Sequence, residues 1–113
     1  PQRLSRVSTV PLEEGMILSN EPGYYREGAF GIRIENLVVV AKAPGLPDSD
    51  DRDMLTFDTL TWAPIDRRLI RAEMLSAGER DWLNAYHAGV AERIGPRLDA
   101  ETAEWLQRAT API

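Results

Sequence analysis

Apolar and polar positions alternate with a period of two through the first half of the chain, and the period lengthens to that of a helix in the second. Residues 7–21, VSTVPLEEGMILSNE, place a Pro-Leu-Glu-Glu-Gly turn before Met16-Ile17-Leu18, which predicts a strand entered from a turn and running to Glu21. Pro22-Gly23 bends that strand, Tyr24-Tyr25 continue it, and Glu27, Gly28 and Ala29 form a hairpin-like connection. GIRIENLVVVA, residues 31–41, is the strongest predicted strand: Ile32 and Ile34 alternate with Arg33 and Glu35, then Leu37 to Val40 become continuously apolar. Residues 42–53 form a polar loop rich in proline and aspartate, and MLTFDTLTWAPI alternates again until Pro64.

From Ser76 the pattern is helical. Ser76 and Glu79 have capping-box spacing, Trp82, Leu83, Tyr86, Val90 and Ile94 recur on one side, and Gly95-Pro96 is a stop. A second helix is predicted over Ala100 to Ala109, with Asp99 as its cap and Trp105 and Leu106 as anchors. Strands first and two helices afterwards make the predicted class α+β, with no internal repeat.

Two glutamates stand out against this pattern. Glu21 precedes a Pro-Gly pair, and Glu35 interrupts an apolar strand, where a carboxylate is costly unless paired or coordinated. If the strands carrying them pair antiparallel, both project from one face, with Cβ atoms ~4.5–8 Å apart in direct or diagonal pairs. Two carboxylates that close must splay apart, share a cation or take up a proton. A dinuclear hydrolytic centre, with ions ~3.5–4 Å apart, suits a bridging carboxylate. Arg33 shares the face of Glu35 and can orient it. On spacing alone the plainer alternative stays open: solvated glutamates, with Glu35 simply paired to Arg33.

Composition narrows the partners. The 113 residues are enough for one cored domain, with 43% hydrophobic and 27% charged residues. A net charge of −5 and a pI near 4.8 argue against nucleic-acid or anionic-membrane partners. No apolar run approaches the ~20 residues of a membrane span. The absence of cysteine excludes disulfides and thiolate metal sites and fits a reducing, cytoplasmic compartment. Beginning Pro-Gln-Arg-Leu without an initiator Met, the chain reads as a piece of a longer protein.

GMILSNEPGYY followed by GIRIENLVVV resembles the closing segments of the pita-bread metallopeptidases, specifically the aminopeptidase P (Xaa-Pro aminopeptidase) family. PQRLS fits the stretch directly after that family's His-Glu-Gly segment. LTFDTLTWAPIDRRLI, WLNAYH and EWLQRATAPI resemble the C-terminal extension of its longer members. The resemblance implies that residues 1–53 are closing strands of a catalytic domain and 54–113 the extension, a strand plus two helices. It implies that Glu21 is a terminal ligand and Glu35 a bridging ligand of two divalent ions, most simply Mn²⁺, sharing a hydroxide that attacks the scissile carbonyl. Tyr25 matches a family tyrosine beside the site, and Arg33 supports it. The substrate implied is a peptide with proline at the second position, and a homo-oligomer is expected. The remaining ligands, two aspartates and a histidine, lie upstream of residue 1 in the family. This chain alone is therefore expected to be inactive and to bind metal weakly or not at all. Two rivals stand beside this: another pita-bread peptidase such as prolidase, and a C-terminal module serving dimerisation or structure.

Other features carry less. His87 has no second histidine within ligand spacing and reads as a packed or surface residue. Trp82, Tyr86 and Trp105 at helical spacing read as core. DSDDRD lacks the glycine and final glutamate of a calcium loop, and Arg67-Arg68 with Arg71 is a small basic cluster with no assigned role.

Overall fold

The structure is a computed structural model and describes residues 8–45, 47–48 and 50–113; Pro1–Ser5, which contributed to the family resemblance, lies outside the described residues. The chain forms two compact units that divide after Thr61.

The first unit is antiparallel β: β1 (Ile17–Asn20), β2 (Gly23–Arg26), β3 (Phe30–Arg33), β4 (Asn36–Lys42) and β5 (Leu55–Thr59). One sheet has the order β1-β4-β5, and β2 pairs with β3 in a second, two-stranded ladder. Gly15 enters β1 at φ 87, a conformation that strains any residue with a Cβ, and its N–H donates to the Val40 carbonyl at 2.9 Å. β4 is the central strand and its alternation sets the packing. Val40 and Asn36 are buried, whereas Leu37 on the opposite face is exposed.

The strand predicted over residues 31–41 is split, because the ladder lapses at Ile34-Glu35. The cause lies across the hairpin. Ile34 donates its N–H to the Pro22 carbonyl at 3.1 Å, but proline has no N–H to return. β5 is hydrogen-bonded along β4, with Val40 opposite Phe57, and stops at Thr59 rather than Pro64. Thr61 closes the unit, its hydroxyl accepting the Leu37 N–H at 2.9 Å.

The second unit is helical. α1 (Ala77–Ile94) begins with the predicted capping box: Ser76 accepts the Glu79 N–H, and the Glu79 carboxylate accepts the Ser76 N–H at 2.9 Å. Pro96 ends it, since the chain passes through Gly95 in helical conformation into a 3₁₀ turn. α2 (Ala100–Ala109) is capped by Asp99, which accepts the Thr102 N–H at 3.0 Å.

Tyr86 and Val90 of α1 and Leu106 of α2 form the core, with Trp62, Ile65, Ile94 and Leu98 packed around it. The aromatic expectation needs correcting. Trp105 is 53% exposed and lies outside the core, leaving Leu106 as the buried residue of α2. Trp82 is 55% exposed but stacks on Tyr86, which stacks in turn on Trp62 with Arg93 capping the far ring at 3.9 Å.

Side chains of α1 fasten the segment before it through that segment's backbone groups. The Tyr86 hydroxyl donates to the Ala63 carbonyl at 2.8 Å and accepts its N–H at 3.3 Å. Nε2 of His87 accepts the Ile65 N–H at 3.0 Å. Arg67 then reaches the end of α2, donating to the carbonyls of Arg108 at 2.6 Å and Ala111 at 2.7 Å. A helix C-terminus has carbonyls without partners, and a guanidinium there supplies both donors and complementary charge.

Candidate metal centre

Glu21 and Glu35 occupy facing positions of one hairpin. β1 pairs Asn20 with Asn36, and β2 pairs Gly23 with Arg33. Glu21-Pro22 on one strand and Ile34-Glu35 on the other fill the interval, so the register passes through without slipping. At the far end the chain reverses through Glu27–Ala29, with Gly28 at φ 69. Period-two alternation gives this hairpin two unlike faces. Tyr24, Phe30, Ile32 and Ile34 lie on one and are exposed. Glu21, Gly23, Tyr25, Gly31, Arg33 and Glu35 share the other.

Arg33 joins the pair. Its Nη1 lies 3.5 Å from Glu21 Oε2 and its Nη2 3.1 Å from Glu35 Oε2, so both carboxylates turn one oxygen toward the same cation. Glu35, a hydrogen bond to the Tyr25 hydroxyl and, least, Glu21 push the Arg33 pKa further up from its already high value. All three charged side chains are about half exposed, so these ion pairs are weak and screened by solvent. A cation of higher charge displaces such a partner at little cost.

Tyr25 lies across the hairpin. A Cβ on Gly23 would stand 2.8 Å from its hydroxyl oxygen, and one on Gly31 2.8 Å from its Cδ1. Two bare glycines thus make the floor on which the ring rests beside Arg33. Ser19 was not anticipated. Its hydroxyl donates to Glu21 Oε1 at 2.5 Å, and the available signal was a Ser-x-Glu spacing within a strand, which puts both side chains on one face.

The donor set fits a hard divalent ion in kind: two carboxylates already converging on a positive charge. In number it is incomplete, since no group of three or more acidic, histidine or cysteine side chains gathers among the described residues. His87 is fully buried in the second unit, as a packed residue. In the acidic loop Asp50 is paired with Arg52.

Residues 1–42 match metallopeptidase family M24, and residues 53–113 match the C-terminal region of peptidase_M24. The chain belongs to metallopeptidase family M24. Among M24 relatives, aminopeptidase P1 of Lotus japonicus is 42% identical over 105 residues, covering 92% of this chain and 16% of the relative. Aminopeptidase P2 of Arabidopsis thaliana is 46% identical over 104 residues, covering 91% and 15%. The crystal structure of X-prolyl aminopeptidase from Caenorhabditis elegans, described as a cytosolic enzyme with a di-nuclear active site, superposes with a TM-score of 0.80 at 36% identity. It covers 90% of this chain and 17% of that one. The chain therefore spans less than a fifth of the length of these relatives, and its α+β architecture is the C-terminal part of an M24 pita-bread fold.

Proposed function

We propose that this M24 chain supplies two of the metal ligands of a dinuclear aminopeptidase that removes an N-terminal residue when proline is next in the peptide. The observation that carries the proposal is the convergence of Glu21 and Glu35 on one guanidinium from facing positions of a single hairpin. Glu35 would be shared by the two ions, and Glu21 would hold one of them. Bound Mn²⁺ ions would polarise the scissile carbonyl and lower the pKa of water at the site.

The chain's own residues do the holding. Register fixes the separation of the carboxylates, Arg33 pairs with both of them, and the Tyr25 ring lies over the glycine floor on the same face. The aminopeptidase P names of the relatives and the solved di-nuclear neighbour support this assignment of reaction and substrate. The cytosolic neighbour supports a cytoplasmic enzyme, the acidic charge argues against nucleic-acid and anionic-membrane partners, and a homo-oligomer is expected.

Metal counting on the full-length protein tests this. Glu35→Gln should lose both ions and all cleavage of a peptide with proline second, while Glu21→Gln should weaken one ion. The 113-residue chain alone should bind Mn²⁺ weakly and cleave nothing, because two carboxylates leave a hard ion mostly hydrated. Retention of two tightly bound ions by Glu35→Gln would overturn the assignment.

A further inference from the structure

We propose that Ser19 is a positioning residue, whose hydroxyl holds one oxygen of Glu21 so that the other is presented to metal. This rests on the reading of Glu21 as a ligand and deepens it. Glu21 is a long, half-exposed side chain just past β1, in the interval where the ladder has lapsed. Nothing in its own packing selects an orientation for the carboxylate. Two contacts do, and they divide its oxygens: Ser19 Oγ donates to Oε1 at 2.5 Å, and Oε2 faces Arg33 at 3.5 Å.

Serine has a single O–H to give, and a hydroxyl bonded to a carboxylate is among the shorter, stronger hydrogen bonds. With Oε1 so engaged, Oε2 is the atom that points at the cation shared with Glu35, whose own Oε2 meets Arg33 at 3.1 Å. Glu21 is thereby biased to present Oε2 to a cation. Ser19 also sits where it can do this without distortion. In β1 it is opposite Leu37, two residues from Glu21 and hence on the same face. Without the hydroxyl, the carboxylate is free to turn both oxygens to one ion or to swing toward solvent, and either change disturbs the ion that Glu21 holds.

The test uses the full-length metallopeptidase carrying Ser19→Ala, Ser19→Thr or Glu21→Gln. Each is dialysed to equilibrium against buffered free Mn²⁺, with metal per protomer counted and the melting temperature of the metal-free form recorded. Ser19→Ala should weaken one of the two binding steps by about tenfold, in the range for loss of an outer-shell partner, while the other step stays within about twofold. The metal-free melting temperature separates a loss of metal affinity from a loss of fold. Ser19→Thr keeps the O–H in a residue well suited to a strand and should restore the affinity to within about threefold. If Ser19→Ala binds both ions as tightly as wild type while Glu21→Gln loses one, the positioning role is overturned and the ligand assignment stands. If Ser19→Thr is as weak as Ser19→Ala, the hydroxyl is not the agent and the inference is equally overturned. If Glu21→Gln binds both ions unchanged, the ligand assignment itself fails, and the role of Ser19 with it.

Discussion

Acidification should loosen the second unit through one side chain. His87 is fully buried, and its Nε2 accepts the Ile65 N–H at 3.0 Å, which requires the neutral ring and leaves the proton on Nδ1. Nδ1 itself is buried without a hydrogen-bond partner. Burial, and then the Arg67 guanidinium, push the His87 pKa down. Tyr86 presents its ring 6.0 Å away, and its hydroxyl is engaged by Ala63.

Protonation would set N–H against N–H at Ile65 and place a second cation near Arg67. A folded pKa below the unfolded value of about 6.5 means the unfolded chain binds the proton first. Stability is therefore full above about pH 6.5 and is lost as the pH falls through the folded value. Losing this hydrogen bond with both donors left buried costs about 1–3 kcal/mol. With an m value of about 1–3 kcal/mol per M urea, the unfolding midpoint should move by on the order of 1 M.

Urea titrations at pH 7.5, 6 and 5, followed by tryptophan fluorescence, measure that shift. The window isolates His87, because the stabilising carboxylates titrate lower: Asp66 is held at about 2 by Arg68, and Asp50, Asp99 and Glu79 are also lowered. His87→Gln should be less stable at pH 7.5 and nearly flat with pH. A wild-type midpoint that does not move between pH 7.5 and 5, or a His87→Gln slope equal to wild type, would refute the reasoning. As the chain has one histidine, a single imidazole NMR resonance checks the direction independently.

Gly89→Ala should destabilise the second unit by about 1–3 kcal/mol despite alanine's better helix propensity, because its Cβ would lie 2.7 Å from the Trp62 ring. Thermal melting gives the sign, and a stabilised variant would show that the aromatic stack yields freely. Ser76→Ala removes the hydroxyl half of the capping box and should cost about 1 kcal/mol, read as a lower melting temperature with unchanged helix content in circular dichroism.

Local chemistry was legible in the sequence and distant chemistry was not. The Ser76–Glu79 box, the Asp99 cap and the turn at Gly28 are written in a few adjacent residues, and α2 spans the residues predicted for it. The split between β3 and β4 escaped because its cause, Pro22, is on the facing strand. Arg67 was left without a role because the carbonyls it caps belong to residues at the other end of the second unit. Trp82 and Trp105 follow helical spacing as faithfully as Leu83 and Leu106, yet periodicity does not say where a core ends. At the candidate metal centre, motif and alternation bring out Glu21, Glu35, Arg33 and Tyr25, whereas the division of the Glu21 oxygens between Ser19 and Arg33 depends on side-chain orientations that no spacing carries.

The in-register hairpin also bears on the order in which such a centre is assembled. Its two carboxylates are joined by one short reversal of chain, and hairpins close in about 1–10 μs, well before contacts between remote segments are made. No third acidic or histidine side chain among the described residues joins the pair, so any further donor must arrive by slower, long-range closure. If the pair serves as ligands, part of their geometry is settled early, and Arg33 offsets their repulsion in the meantime. A lengthened or weakened Glu27–Ala29 turn should accordingly slow metal acquisition during refolding more than it lowers the final affinity.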